Sequence, residues 1–93
     1  MSGKIFETLL LVPGIGELLI RVDKKLAEHP EEGCSFMASV YSRTCVSKPF
    51  TEVMWVVEDE LHHVKEELTK AIKNLFVGES FDEDIFKELV ESE

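Results

Sequence analysis

Apolar residues recur at intervals of three and four between Pro49 and Val77, and no further Pro or Gly interrupts this segment. Such spacing is typical of a helix that buries one stripe of its surface. The sequence therefore predicts one long helix over residues 49–77, capped by Ser47 and ended by Gly78. Its apolar stripe comprises Phe50, Val53, Met54, Val57, Leu61, Val64, Leu68, Ile72 and Leu75.

Shorter segments with helical spacing flank this helix. The apolar residues of 5–10 suit a short helix that ends at Pro13-Gly14, and those of 15–26 suit a second one. The second helix is expected to stop near His29, because Pro30 disfavours helical geometry in the residue before it. Ser80 and Glu83 match a capping box, which predicts a short acidic C-terminal helix over about residues 80–92.

The middle segment, residues 34–46, allows two interpretations. Phe36, Met37, Val40, Tyr41 and Cys45 fit a helix that starts near Pro30. The same stretch also alternates and is rich in Ser, Val and aromatic residues, which suits a strand.

The fold prediction is a single all-α domain over residues 1–93, a compact bundle of four to five helices around the long one. The alternative is an α+β fold with a small antiparallel sheet packed on the long helix, in which residues 5–12 and 18–25 supply strands.

Charge is distributed unevenly along the 93 residues, whose net charge is −9. Residues 1–48 hold six acidic and six basic residues, whereas residues 79–93 hold seven acidic residues and only Lys87. Direct binding to a nucleic-acid backbone is disfavoured, because phosphates would be repelled. The expected partner is a protein with a basic surface, and a small domain also gains burial by forming a homo-oligomer.

Trp55 is the first candidate for an interface. On the predicted helix, Trp55 and Val56 lie away from the apolar stripe, so this end of the helix would be apolar all round. Either other helices of the chain cover Trp55, or it anchors an oligomer or partner interface, where tryptophan is enriched.

The acidic C-terminal helix is the second candidate. Asp82, Glu83 and Asp84 fit the N-terminal turn of a helix on electrostatic grounds alone. With Phe86 and Glu88, they also form an acidic and aromatic set that would dock on a basic groove.

Glu60, His62 and His63 are weak candidates for a metal site, because Glu-x-x-His places a carboxylate and an imidazole on neighbouring turns. A solvated charged face is the preferred interpretation of these residues, and we expect no metal and no cofactor. Cys34 and Cys45 lack the C-x-x-C spacing of a redox motif and are expected to be reduced thiols. Pro13-Gly14-Ile15-Gly16 lacks the rest of a phosphate-binding loop and is expected to be a turn.

The sequence thus predicts a cytoplasmic, non-enzymatic interaction protein without a membrane span or secretory signal. It would regulate or inhibit its basic partner, for example a nucleic-acid-handling or host-defence enzyme, by compositional analogy with small phage-type inhibitors. The alternative is a homo-oligomeric helical protein that binds a small ligand or a metal.

Overall fold

The computed structural model describes residues 2–26, 34–78 and 81–91. Four strands form one antiparallel sheet in the order β1-β2-β3-β4, each strand pairing with the next along the chain. The strands are β1 (Ser2–Val12), β2 (Gly16–Leu26), β3 (Cys34–Arg43) and β4 (Thr51–Glu58). A helical layer follows: α1 (Leu61–Ile72), a π-helical turn (Lys73–Val77), a 3-10 turn (Glu83–Phe86) and α2 (Lys87–Glu91).

The all-α bundle predicted from the sequence is therefore wrong, and the α+β alternative is closer. The predicted helix over residues 49–77 is a strand, β4, followed by α1 and the π-helical turn. The predicted helices over 5–10 and 15–26 are β1 and β2, and residues 34–43 are a strand. The predicted helix boundaries at His29, Pro30 and Ser80 lie outside the described residues.

The misassignment of β4 has a physical reason. Met54 and Val56 point toward the helices, while Trp55 and Val57 point away, so both faces of this strand are apolar. Two apolar faces together produce three-and-four spacings by coincidence. The density of β-branched and aromatic residues in this strand favours the extended conformation.

The β1–β2 hairpin shows why Pro13-Gly14 makes a turn. The Ile15 backbone N–H donates to the carbonyl oxygen of Val12 at 3.0 Å, which closes a four-residue turn. Pro13 and Gly14 occupy its central positions, and the φ of +83° at Gly14 is one that glycine adopts readily. This combination is typical of a type II turn and confirms the predicted turn.

The core lies between one face of the sheet and the helical layer. Leu18, Ile20 and Val22 of β2 are fully buried on this inner face. They pack in one cluster with the buried stripe of α1, which consists of Leu61, Val64, Leu68 and Ile72.

The C-terminal segment closes the core. Phe86 has no exposed surface and contacts Phe81 and Phe6 with ring centroids 5.8 and 6.0 Å apart. Gly78 ends the π-helical turn at a φ of +84°, which confirms the helix end predicted there. Among the described helices, none combines the length and apolar character that crossing a membrane would require.

Candidate protein-interaction surface

The sheet has a second face, directed away from the helical layer, which we call the open face. In an antiparallel strand successive side chains point to opposite sides, so each strand contributes every second residue to this face. Large apolar side chains stand exposed there, whereas a typical solvent-facing sheet surface is polar. They are Leu9, Leu11, Met37, Trp55 and Val57, with Val53 beside them at a bulge of β4.

Trp55 lies in the middle of β4, and 62% of its surface is exposed. Strand pairing sets it opposite Ser39 of β3, and sets Val57 opposite Met37. Trp55 and Val57 are two positions apart on one strand, so their side chains are neighbours on the open face. The three apolar side chains of Met37, Trp55 and Val57 therefore form one contiguous group.

A second row of apolar and aromatic residues crosses the open face to β1. Leu19 of β2 pairs with both Leu9 of β1 and Tyr41 of β3, so one row of apolar and aromatic residues crosses three strands. Single exposed hydrophobic residues are ordinary on protein surfaces, but a contiguous exposed patch marks an interaction site.

Charged residues on the open face are largely paired within the chain. The Arg21 guanidinium donates to both carboxylate oxygens of Asp23 at 3.1–3.2 Å, and this hydrogen bond raises the pKa of Arg21. The Arg43 guanidinium donates to one carboxylate oxygen of Glu17 at 2.8 and 2.9 Å.

A third ion pair and one unpaired acidic residue also lie on the open face. Lys4 and Glu7 lie 3.6 Å apart. The carboxylate of Glu52, opposite Tyr41, has no ion pair among the described residues. Three of the positive charges on this face are thus paired internally, while Lys25, opposite Ser35, is exposed and has no ion pair among the described residues.

β4 is also an edge of the sheet, since no strand of the described chain pairs with its outer side. Natural edge strands are commonly protected by lysine, proline or a bulge. β4 has a bulge near Val53 but contains no Lys, Arg or Pro. The open face and this edge meet along the same strand.

The interface residues predicted from the sequence do not lie together. Trp55 is on the open face, but Val56 points inward against the core. Phe86 is fully buried and therefore cannot contact a partner in this fold. Strand alternation directs Val56 inward, and core packing buries Phe86.

The predicted acidic residues lie with the helical layer, not on the open face. The Asp82 carboxylate accepts a hydrogen bond from the Asp84 backbone N–H at 3.0 Å and caps the 3-10 turn, in place of the Ser80 cap predicted from the sequence. Asp84 and Glu88 are exposed. The side chain of Glu83 lies outside the described part of the structure.

Leu9, Leu11 and Met37 were not recognised as surface candidates from the sequence. The available signal was the alternation of residues 34–41, together with the apolar residues that alternate on both sides of β1. An interpretation of these segments as strands would have found two apolar faces in a chain with only one helical layer to cover them.

The structure does bring together the three weak metal candidates at the β4–α1 junction. One carboxylate oxygen of Glu60 lies 3.2 Å from His62 Nε2 and 3.7 Å from His63 Nδ1. Cys45 is a free, exposed thiol, and the side chain of Cys34 is not among those described.

Comparisons with known proteins add no information on function. No family model, no curated protein and no solved structure matches the chain. The function must therefore be inferred from the surface chemistry of the fold.

Proposed function

We propose that this protein is a non-enzymatic binding module whose open face docks on a different protein with an apolar, basic-rimmed contact surface. The contiguous apolar surface around Trp55 carries this proposal. A largely exposed tryptophan between apolar neighbours gains much from being covered, and tryptophan is enriched among residues that dominate binding energy.

Charge favours a foreign partner over a second copy. Each chain carries a net charge of −9, so two copies repel each other. Three of the four cationic groups of the open face, all but Lys25, are held in pairs with Asp23, Glu17 and Glu7, which leaves few to receive acids of another copy. Lysine and arginine on a partner would be attracted by the net negative charge of the chain.

The consequence of such binding would be regulation. Basic protein surfaces commonly bind phosphate-bearing ligands. An acidic protein seated on such a surface would compete with those ligands, so inhibition of a nucleic-acid-handling enzyme fits the proposed binding mode.

The test is affinity capture with the whole chain, followed by titration with the purified captured protein. We expect Trp55→Ala to weaken binding by about 2 kcal/mol or more, roughly thirtyfold in Kd, because the anchor is truncated. Binding should also weaken as salt is raised, because the attraction between charged surfaces is screened.

Leu75→Ala is the matched control, since Leu75 is exposed to the same extent, 62%, but lies in the helical layer. This variant should bind like the wild type. An equal loss of binding affinity in both variants, or no loss of affinity in Trp55→Ala, would contradict an interface at the open face. Asp84→Lys is a further test variant. A loss of binding affinity in this variant would place the contact on the acidic helical side instead.

A further inference from the structure

The junction between β4 and α1 holds two imidazoles and a carboxylate. Glu60 immediately precedes α1, and His62 and His63 lie in its first turn. One potential ligand atom from each residue lies within 4.8 Å of the other two. All three side chains are about half exposed, so an ion in solution has direct access to them.

The position of the Glu60 carboxylate is unusual for its place in the helix. The residue before a helix commonly uses its side chain to cap the first backbone N–H groups. Within the described chain, the Glu60 side chain makes no such bond. Its oxygen instead faces ring nitrogens of both His62 and His63, which draws three donor groups to one point.

We propose that Glu60, His62 and His63 bind one divalent transition-metal ion of the zinc class. Two ligands of a tetrahedral zinc ion at about 2.1 Å stand about 3.4 Å apart. The separations of 3.2 and 3.7 Å between Glu60 and the two histidines bracket that value, and the ligand atoms of the two histidines lie within 4.8 Å of each other. Two nitrogens and one oxygen suit Zn²⁺, Co²⁺ or Ni²⁺, whereas Ca²⁺ and Mg²⁺ prefer ligand sets made of oxygen.

Three protein ligands leave at least one coordination position for water or another group. The positive end of the α1 dipole opposes a cation there, but the negative charge of Glu60 offsets this effect and solvent screens it. The bound ion would tie Glu60 to the first turn of α1. Metal binding should therefore also raise the thermal unfolding temperature.

The experiment titrates the purified whole chain with Zn²⁺ by calorimetry and with Co²⁺ by visible absorption. We expect one ion per chain. Glu60→Gln, His62→Ala and His63→Ala should each weaken binding at least about tenfold, the effect seen even for groups that only support a ligand. The three side chains are exposed, so circular dichroism should show an unchanged fold in each variant.

Three control variants locate the ion. Glu67→Gln removes an exposed acid from the same helix, His29→Ala removes the remaining histidine of the sequence, and Cys45→Ser removes the exposed thiol. All three should retain wild-type affinity, and the Co²⁺ spectrum should lack a thiolate charge-transfer band.

Undetectable binding to the wild type, or equal affinity in the wild type and the His62→Ala/His63→Ala double variant, would overturn the site. Loss of binding in a control variant would overturn it also, because the ion would then lie elsewhere. This inference does not depend on the proposed function: a Trp55→Ala variant should bind Zn²⁺ normally.

Discussion

At the scale of single residues, Trp55 owes its exposure and its neighbours to the alternation of side chains along β4. The sequence indicated that Trp55 lies off the main apolar stripe, and in the structure it is exposed. The same reasoning placed Val56 beside it on one helical surface. Because β4 is a strand, Val56 points to the opposite side, so the neighbours of Trp55 are Val57 and Met37. Those cross-strand contacts cannot be inferred without the strand register.

Cys45 provides a test of local electrostatics. Its Sγ lies 3.1 Å from the Ser47 hydroxyl oxygen, and hydrogen bonding from the side chain and backbone of Ser47 lowers the pKa of the thiol. More Cys45 is therefore thiolate at a given pH than in a free cysteine, whose pKa is about 8.5. Ser47→Ala should raise the pKa of Cys45 and shift its alkylation by iodoacetamide to higher pH.

The alkylation is measured at the Cys45 peptide by mass spectrometry, so that reaction at Cys34 does not interfere. Ser35→Ala is the control, because Ser35 lies in β3 and should leave the profile unchanged. An identical pH profile in Ser47→Ala and wild type would show that Ser47 does not stabilise the thiolate.

At the scale of elements, the β1–β2 hairpin fits against the segment after β3 through one glycine. Gly16 has a φ of +125°, a backbone conformation that residues other than glycine rarely adopt. A Cβ there would collide with the Arg43 carbonyl oxygen and lie 2.9 Å from Thr44 Cα. Next to this contact, the Arg43 guanidinium pairs with Glu17 and stacks 4.1 Å from the Phe50 ring centroid.

We expect Gly16→Ala to destabilise the protein by about 1–3 kcal/mol, through backbone strain and displacement of the Arg43–Thr44 backbone. Thermal unfolding should shift down by roughly 4–8 °C per kcal/mol for a domain of this size. Gly3→Ala is the control, because a Cβ at Gly3 meets no atom within 4 Å. An equal melting temperature for Gly16→Ala and Gly3→Ala would refute the close approach.

Elements also mark the limit of prediction from this sequence. The predicted helical stripe from Leu61 to Ile72 is confirmed, because α1 has one apolar face and one polar face. Such a helix shows apolar residues with a period of 3.6 in its sequence. β1 and β4 have apolar residues on both faces, so neither strand shows the alternation of a half-exposed strand. The property that concealed β4 is the same one that creates the open face.

At the scale of the whole molecule, the described helices cover one side of a four-stranded sheet and leave exposed apolar residues among charged ones on the other side. An acidic chain that pairs most of the cations on that side internally is suited to a basic protein partner. The homo-oligomer expected from the sequence is the competing occupant, since a second copy would cover the same face. Long-range repulsion between chains of charge −9 favours the foreign partner.

Trp55 is the single tryptophan of the sequence, so its fluorescence reports directly on whether the open face is covered. The most direct measurement combines light scattering after size exclusion with acrylamide quenching of Trp55 over a range of protein concentrations. Our account predicts the mass of one chain and quenching that is efficient and independent of concentration, followed by protection when the purified partner is added. A mass of two chains that returns to one in Trp55→Ala, with Trp55 of the wild type shielded as concentration rises, would contradict it by placing a second copy on the open face.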